Sequence, residues 1–304
     1  MMENTDWAQV KGNPSYAYLN GTLLPDSAFA NNYVGGIGHP SLPNYVALEA
    51  GAPMGLTDGA YLPATHSTST TEHFTTQLRA VGLSWKYYAE DLPGDGTTCN
   101  TADPGAPYSL DHNPFVYFDD VRSDTAYCRA HERPYKEFAG DLTSRAVPAY
   151  NFIVPNDWHQ GEKLAPGSHC MACQADQFLR SGIPMIQASA AYQDGGAIII
   201  LWDESASSGN SPSGMIINSP LAKKGYSNNV AYNHGSTLRT VQTLLGVRPF
   251  LGAAAGATDF ADLFTVPLSN PGAESIHAQN SSSTDAAASE SHAAPVEWPW
   301  LPRQ

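Results

Sequence analysis

The 304-residue sequence is poor in charge, above all in positive charge. Charged residues make up 14% of the chain, and lysine and arginine number 15 against 29 acidic residues, for a formal net charge of -14. A nucleic acid backbone is bound through clustered cations, so we expect no nucleic acid partner. The low charge content, together with abundant Gly, Pro, Ser, Thr, Asn and Ala, is typical of the surface composition of many exported enzymes.

Long apolar runs and internal repeats are also absent from the sequence. No stretch approaches the roughly 18 apolar residues of a membrane span, and the chain does not begin with a basic and apolar signal segment. We therefore expect no transmembrane segment, and a secreted or periplasmic protein whose export signal is absent from this chain. The length favours one domain over residues 1–268. Residues 269–304 lack apolar periodicity and are predicted to be a flexible, low-complexity tail.

Cysteine is scarce, and the four cysteines permit three fully paired disulfide patterns. The preferred pattern joins Cys99 to Cys128, because both lie in a loop-rich region, and closes Cys170 to Cys173 locally. A Cys-x-x-Cys can instead be a redox pair or half of a zinc site, and the neighbouring His169 suits the zinc interpretation. The sequence has no second Cys-x-x-Cys to complete a structural zinc site, which disfavours that alternative.

Apolar periodicity predicts strands and helices that alternate along the chain. The strands are predicted at residues 83–88, 149–154, 196–202 and 214–218, and the helices at residues 41–50, 71–81, 172–181 and 236–245. The run from Ile198 to Leu201 is apolar without interruption, which is typical of a strand buried on both faces between helices. We therefore predict an α/β fold, a three-layer α/β/α sandwich with a mostly parallel central sheet.

Residues 37–51 place one hydroxyl at the start of a helix. Pro40 does not readily extend a helix, Ser41 can cap one, and Pro43 suits the first turn. The free N–H groups of a first turn favour an anion. Ser41 is thus either an ordinary N-cap or a nucleophile that attacks a phosphate-like group, and in the second case Asn44 donates an amide N–H to the same anion.

Polar side chains follow predicted strands, or precede a helix, at four further places. These positions hold Glu3 and Asn4, then Asn156, Asp157 and His159, then Asp203 and Glu204, and finally His234. Ligands of open α/β sheets bind beyond the carboxyl ends of the strands, so we expect these groups to converge with Ser41. Each alone commonly caps a helix or forms a turn, but the coincidence favours a site.

This set offers oxygen and imidazole ligands without a thiolate, which suits one or two hard or borderline divalent metal ions. A cation of this kind converts a serine towards an alkoxide and neutralises charge on a phosphoryl group. A histidine opposite the nucleophile can protonate a leaving alcohol and later activate water. The residues therefore predict metal-assisted phosphoryl chemistry.

Six short motifs stand in a fixed order along residues 2–265. They are Met2-Glu3-Asn4-Thr5, His39-Pro-Ser-Leu-Pro-Asn-Tyr-Val-Ala-Leu, His112-Asn113-Pro114-Phe115, Val154-Pro155-Asn156-Asp157-Trp158-His159, Leu201-Trp202-Asp203-Glu204 and His234-Gly-Ser-Thr-Leu-Arg-Thr-Val. The ordered set resembles the bacterial and fungal phosphoesterase family that contains acid phosphatases and phosphatidylcholine-type phospholipases C. That resemblance implies the fold of the alkaline phosphatase superfamily.

The resemblance also implies roles for individual residues. It makes Ser41 the nucleophile and either His159 or His234 the general acid and base, while His39 supports the loop of the nucleophile. The implied metal ligands are Glu3, Asn4, Ser41, Asp203 and Glu204. The implied substrate-binding residues are Asn44, His112, Asn113 and Asp157.

Three features depart from the family pattern. Only Met1 and Met2 precede the Glu3–Asn4 pair, where the family has a longer apolar strand that is expected to be central, so stability and metal affinity are in question. Gln160 stands where members often have a carboxylate. The pair Asp203–Glu204 matches an Asp-Asp metal motif, which leaves open whether Glu204 binds the metal directly.

The resulting hypothesis is a metal-dependent phosphoric ester hydrolase that acts on small phosphomonoesters through a phosphoserine intermediate. Phospholipase C activity is the alternative, with an apolar approach built from Tyr87, Tyr88, Phe115, Tyr117, Phe118 and Trp158, although such aromatic residues more often pack in a core. A non-catalytic surface binding module on the same fold is the alternative from another class. A sulfatase is disfavoured because no arginine follows the Ser41 motif.

Overall fold

The computed structural model describes residues 1–59, 62–206 and 211–268. Its α-helices are α1 (Trp7–Val10), α2 (Ser41–Ala50), α3 (Phe74–Ala80), α4 (Asp119–Arg122), α5 (Thr125–His131), α6 (Phe138–Ser144), α7 (Met171–Gln187), α8 (Ala190–Gln193) and α9 (His234–Leu245). Its strands are β1 (Ala28–Ala30), β2 (Trp85–Ala89), β3 (Glu132–Pro134), β4 (Tyr150–Val154), β5 (Ile198–Leu201), β6 (Met215–Asn218) and β7 (Tyr226–Asn228). The predicted tail, residues 269–304, lies outside the described residues.

The strands form two sheets. The first has the order β3-β2-β4 and is parallel throughout. The second has the order β5-β6-β1-β7, in which β6 runs antiparallel to both neighbours and β1 runs parallel to β7. The predicted α/β class is therefore correct, with helices packed around parallel elements, while the reversed β6 makes the second sheet mixed.

Met1 and Met2 lie between the two sheets. The Met1 nitrogen donates to the carbonyl of Ile153 in β4 at 2.7 Å, and the Met2 N–H donates to the carbonyl of Leu201 in β5 at 2.9 Å. Met2 also forms a parallel bridge with Trp202. These bonds carry Glu3 to the edge where β4 and β5 both end.

The core is rich in aromatic side chains. Five of the six residues considered for a lipid approach are fully buried, at 0% exposure: Tyr87, Tyr88, Phe115, Tyr117 and Phe118. Phe115 packs edge-on against Phe152, with ring centroids 5.5 Å apart, an arrangement that favours aromatic pairs. These five residues build the core and do not form a lipid approach.

Both predicted disulfides are present. Cys99 pairs with Cys128, and Cys170 pairs with Cys173 at the start of α7. The zinc interpretation of Cys170 and Cys173 is therefore wrong, because their thiolates are joined to each other. Within the described part of the chain, no helix is both long enough and apolar enough to cross a membrane.

Candidate active site

Helix α2 brings Ser41 into the interior. The N-cap is Pro40, in extended conformation, and the helix ends at Gly51 with φ 74°, a left-handed value that glycine adopts without strain. All ten residues of α2 are buried. Ser41 is the first helical residue and makes no capping bond; its hydroxyl instead donates to Oε2 of Glu3 at 3.1 Å. The interpretation of Ser41 as an ordinary N-cap is thus wrong.

Three buried carboxylates surround this hydroxyl. Glu3, Asp203 and Glu204 are 0%, 0% and 1% exposed. Burial, followed by repulsion from Asp203, raises the pKa of Glu3 well above its usual value and that of Glu204 to about 8. Burial likewise raises the pKa of Asp203. Ionising these buried carboxylates is costly unless a cation lies beside them, so the arrangement favours a bound cation.

Asn44 and His39 hold Glu204 from the loop and first turns that carry Ser41. The Asn44 amide donates to Oε2 of Glu204 at 3.0 Å and to the carbonyl of Gly38 at 2.9 Å. Nδ1 of His39 lies 2.6 Å from Oε1 of Glu204. Side-chain nitrogens therefore lie within 3.0 Å of both oxygens of Glu204, and the Asn44 N–H groups point at protein acceptors in this structure.

His112 is the imidazole that lies against the Ser41–Glu3 pair. Its Nε2 is 3.8 Å from Oε2 of Glu3 and 3.8 Å from Oδ1 of Asp111. Its ring stacks on Tyr45, with centroids 5.2 Å apart and an interplanar angle of 16°. The Tyr45 hydroxyl donates to the other Glu3 oxygen, Oε1. Sequence reasoning missed Tyr45, although a residue four positions after Ser41 shares its helix face.

His234 lies behind the carboxylates. Its Nε2–H donates to the backbone carbonyl of Asp203 at 2.7 Å, and its Nδ1 accepts from the Tyr33 hydroxyl at 2.7 Å. The ring is 2% exposed, and burial lowers its pKa to about 4. Since both nitrogens are occupied, His234 is not placed to exchange protons with a substrate. It fixes the backbone at the end of β5.

His159 faces a different acidic pair. Its Nδ1 lies 2.7 Å from Oε2 of Glu90, and its ring stacks on Phe178 at 6.1 Å. The hydrogen bond to Glu90 raises the pKa of His159, with a further contribution from Asp91. The side chain is 38% exposed. The structure therefore does not group His159 with the Ser41 cluster.

Asn113 and Asp157 support loops. Asn113 donates to the buried Glu132 and accepts from the Phe115 N–H at 3.2 Å, which caps the turn Pro114–Tyr117. The Asp157 carboxylate accepts from Ser109, Gln160 and Lys163, at 2.8, 3.3 and 2.9 Å. These hydrogen bonds hold the Asn113 carboxamide and the Asp157 carboxylate against their own loops and do not direct them at Ser41.

The residues present fit a divalent cation. Asn4 Oδ1, Asn44 Oδ1 and Asp203 Oδ2 are buried and lack a hydrogen-bond partner among the described residues. Buried oxygens normally have partners, and oxygen donors suit a hard cation. Within the described ranges, one group of three metal-ligating residue types (His, Cys, Asp or Glu) is closely spaced, namely Cys99, Cys128 and Glu132. The two cysteine sulfurs of this group form a disulfide. The site carboxylates are more widely spaced and complete a ligand set only with amide and hydroxyl oxygens.

A comparison with family models matches residues 4–208 to the model of the phosphoesterase family. The chain belongs to the phosphoesterase family. It is thereby a hydrolase of phosphoric esters, and the matched segment contains Asn4, Ser41, Asp203 and Glu204.

Two named phosphatases are similar to most of this chain. A phosphatidylinositol-3-phosphatase of Mycobacterium tuberculosis is 26% identical over 86% of this chain and 80% of its own length. A probable acid phosphatase of Kluyveromyces lactis is 25% identical over 86% of this chain, which spans 60% of that protein. The solved structure of an alkaline phosphatase superfamily protein from Vibrio parahaemolyticus has a TM-score of 0.52 at 13% identity, over 82% of this chain and 66% of that one. The fold predicted from the motifs is confirmed.

Proposed function

We propose that this phosphoesterase is a metal-dependent phosphomonoesterase that acts through a phosphoserine on Ser41. One observation carries the proposal: the Ser41 hydroxyl, at the start of a buried helix, donates to Glu3 within a set of three buried carboxylates. Unpaired oxygens of Asn4 and Asp203 complete the ligands. A divalent cation bound by Glu3, Asn4, Asp203 and the Ser41 oxygen would neutralise charge on the phosphoryl group and acidify the serine.

The chain's own groups perform the proton transfers. Ser41 Oγ forms a bond to phosphorus and passes its proton to Glu3 Oε2, 3.1 Å away, while the bond to the leaving oxygen breaks. The hydrogen bond from Ser41 to Glu3 already aligns that proton with the carboxylate oxygen. The free N–H groups at the start of α2 face the phosphoryl oxygens and favour their negative charge.

His112 is the histidine that we assign to the leaving group. Its Nε2 is 3.8 Å from the Glu3 oxygen that receives the serine proton, whereas both nitrogens of His234 are occupied and His159 is paired with Glu90. His112 protonates the leaving alcohol and then takes a proton from the water that attacks phosphorus, while the bond from phosphorus to Ser41 Oγ breaks and Glu3 returns the proton to that oxygen. This assignment replaces the sequence-based choice of His159 or His234.

The relatives support a monoester substrate. Proteins named acid phosphatase and a phosphatidylinositol-3-phosphatase are similar to this chain, and all of these names describe hydrolysis of phosphomonoesters. Phospholipase C action remains the second candidate, but the burial of five of its six proposed aromatic residues weakens it. We further propose a secreted or periplasmic location, because two disulfides persist in oxidising compartments.

The decisive experiment compares hydrolysis of para-nitrophenyl phosphate and phosphatidylcholine, with and without EDTA, for wild type, Ser41→Ala and the exposed control Ser144→Ala. We expect monoester turnover that EDTA abolishes, and a loss of at least about 10³-fold in Ser41→Ala alone. Acid quench and mass spectrometry should locate a phosphate on Ser41. Full turnover by Ser41→Ala would rule out Ser41 as the nucleophile. Activity in EDTA would rule out the metal dependence, and faster cleavage of phosphatidylcholine than of para-nitrophenyl phosphate would favour phospholipase C.

A further inference from the structure

The two disulfides differ in exposure and in the length of chain that they close. The Cys99–Cys128 bridge spans 29 positions, and Cys128 is fully buried in the main core cluster. The Cys170–Cys173 bridge spans 3 positions, with Cys173 exposed and Cys170 partly buried. A disulfide stabilises a fold mainly by restricting the unfolded chain, and the restriction grows with the length of the closed loop. The bridge at the start of α7 therefore adds little stability, and one of its two cysteines is open to solvent.

Helix α7 is held in place by contacts that do not involve this bridge. In its second turn, the Asp176 carboxylate accepts from the N–H groups of Tyr18 and Leu19, at 2.9 and 2.8 Å. Leu179 and Ile183 of the same helix are buried in an apolar cluster of the core. We therefore expect the helix to keep its position when the bridge opens, so that one fold accommodates both the disulfide and the dithiol.

The two sulfurs of the bridge occupy unequal positions at the start of the helix. Cys170 is the N-cap of α7, and its Sγ accepts from the N–H of Cys173 at 3.1 Å. Helix N-termini stabilise thiolates, and α7 has 17 residues. A sulfur that departs as a stabilised thiolate departs faster, so attack on Cys173 with departure of Cys170 is favoured over the reverse.

A cavity of about 710 Å³ lies against the two residues between these cysteines, Met171 and Ala172. Its other walls include the cation of Lys11 and the amides of Gln9 and Asn13. Among the described residues, no acidic side chain lines this cavity, although the whole chain carries a net charge of -14. A cavity of this size accommodates a small molecule, and its lining suits one that carries carboxylates and amide groups.

We propose that Cys170–Cys173 is an exchangeable disulfide that reacts with a small peptide-like thiol bearing carboxylates. The thiolate of this molecule forms a bond to Cys173 Sγ, while the Cys170–Cys173 bond breaks and leaves its electron pair on Cys170 Sγ. A second thiolate then bonds to the sulfur of the attached molecule, and Cys173 Sγ departs in turn. The two small thiols become one disulfide, the protein disulfide gains two electrons, and the protons that the thiols released pass to Cys170 and Cys173. The proposal is independent of the phosphatase function.

The first test uses the folded wild-type protein and reduced glutathione. After acid quench, mass spectrometry locates free thiols and glutathione adducts, and Cys99–Cys128 is the internal control. We expect Cys170–Cys173 to open at least about 100-fold faster than the control, with the first adduct on Cys173. Equal rates for the two bridges, or a first adduct on Cys170, would overturn the proposal.

The second test asks whether the cavity selects the thiol. Lys11→Gln removes its cation, and Lys224→Gln is the matched change at an exposed lysine outside the cavity. We expect Lys11→Gln to slow opening by glutathione at least about threefold and to leave opening by uncharged 2-mercaptoethanol unchanged, while Lys224→Gln alters neither rate. An equal effect of Lys11→Gln on both thiols, or no effect on either, would overturn the proposal.

The third test separates an exchange site from a structural bridge. Serine at position 170 remains a good N-cap, so the double variant Cys170→Ser/Cys173→Ser should keep its Tm within about 2 °C of wild type. The double variant Cys99→Ser/Cys128→Ser should lose at least about 5 °C or fail to fold. A similar loss of Tm in both double variants would identify Cys170–Cys173 as a structural bridge and overturn the proposal.

Discussion

Helix α2 has buried carboxylates near both ends, and the two clusters are neutralised differently. Near its carboxyl end, Glu49 accepts from the Thr75 N–H at 2.7 Å and pairs with His73 at 2.9 Å, and the other nitrogen of His73 pairs with Asp120 at 3.1 Å. Near its amino end, Glu3 lies beside Asp203 and Glu204. The first cluster holds a buried imidazolium between its carboxylates, whereas at Ser41 the imidazole paired with Glu204, that of His39, is 45% exposed.

This difference separates a structural cluster from a functional one. The hydrogen bonds to Asp120 and Glu49 outweigh burial and raise the pKa of His73 to about 9, so the imidazolium is present at neutral pH. At the Ser41 end, the pKa values of all three carboxylates are raised instead. A buried cluster of carboxylates lowers the stability of the fold when its charge is not fully compensated. Such a cluster is expected at a functional site, here at the Ser41 end of α2.

The largest expected effect is that of Glu3→Gln. This change removes one ionisable carboxylate from the buried Ser41 cluster, so we expect activity to fall at least about 10³-fold while thermal stability in EDTA rises. The control change Glu72→Gln, at an exposed position, should alter neither the activity nor the thermal stability. Turnover of para-nitrophenyl phosphate and thermal unfolding in EDTA measure both quantities. A Glu3→Gln protein that is less stable in EDTA would show that the carboxylates are already compensated.

His73→Gln tests the other end of α2. It leaves the buried Glu49 without a cation, so we expect a loss of about 3–5 kcal/mol in the free energy of unfolding. The matched change His66→Gln, in the more exposed pair with Asp58, should cost less than about 1 kcal/mol. Urea unfolding gives both values. Equal losses in the two variants would contradict a special role for the buried pair.

The pH dependence of stability provides a third test. His73 has a folded pKa of about 9 and an ordinary value of 6.5, so its contribution is complete below pH 6.5 and is lost as pH rises through 9. The shift corresponds to about 3 kcal/mol. We expect wild type to lose this amount relative to His73→Gln between pH 6 and 10, as measured by urea unfolding. Parallel curves for the two proteins would refute the assignment.

Divalent cations should distinguish the two clusters directly. At 100 times its dissociation constant, a cation that binds only the folded protein stabilises it by about 2.7 kcal/mol. We expect Mg²⁺, Mn²⁺ or Ca²⁺ to raise the Tm of wild type and of His73→Gln but not that of Asp203→Asn. A scan of these ions by thermal unfolding measures the effect. Equal stabilisation of Asp203→Asn would place the cation elsewhere.

The smallest effect is expected for Asn113→Ala. The structure shows Asn113 as the cap of a turn and a partner of Glu132, so the change should cost about 1–2 kcal/mol of stability. KM for a phosphomonoester should stay within about twofold of wild type. Steady-state kinetics at a temperature where both proteins are folded would decide. A tenfold rise in KM would restore the substrate-binding role.

The sequence predicted well those features that depend on local pattern. The start and end of α2 followed from Pro40 and Gly51, and the carboxyl ends of the strands placed Glu3 and Asp203 together beside the start of that helix. The roles of the histidines did not follow, because a role depends on what each ring nitrogen contacts. The partners of His234 and His159, Tyr33 and Glu90, are separated from them by 201 and 69 residues.

The mixed second sheet and the Glu49–His73–Asp120 cluster were also beyond sequence reasoning. The antiparallel direction of β6 is a matter of its pairing with β5 and β1, which leaves no periodic signal in the sequence. Glu49 and His73 each stand in a sequence context that is equally typical of an exposed position on a helix or loop. Only their distance of 2.9 Å reveals that both are buried as a pair.

The complete burial of α2 has a consequence for variation. A helix usually retains a solvent face on which most substitutions are tolerated, but none of the ten residues of α2 is exposed. In a library that replaces each residue by every alternative, the 41–50 window should therefore form an unbroken block of intolerance, in contrast to the striped pattern of α7. An insertion, tag or fluorescent label intended to report on the nucleophile must be attached elsewhere.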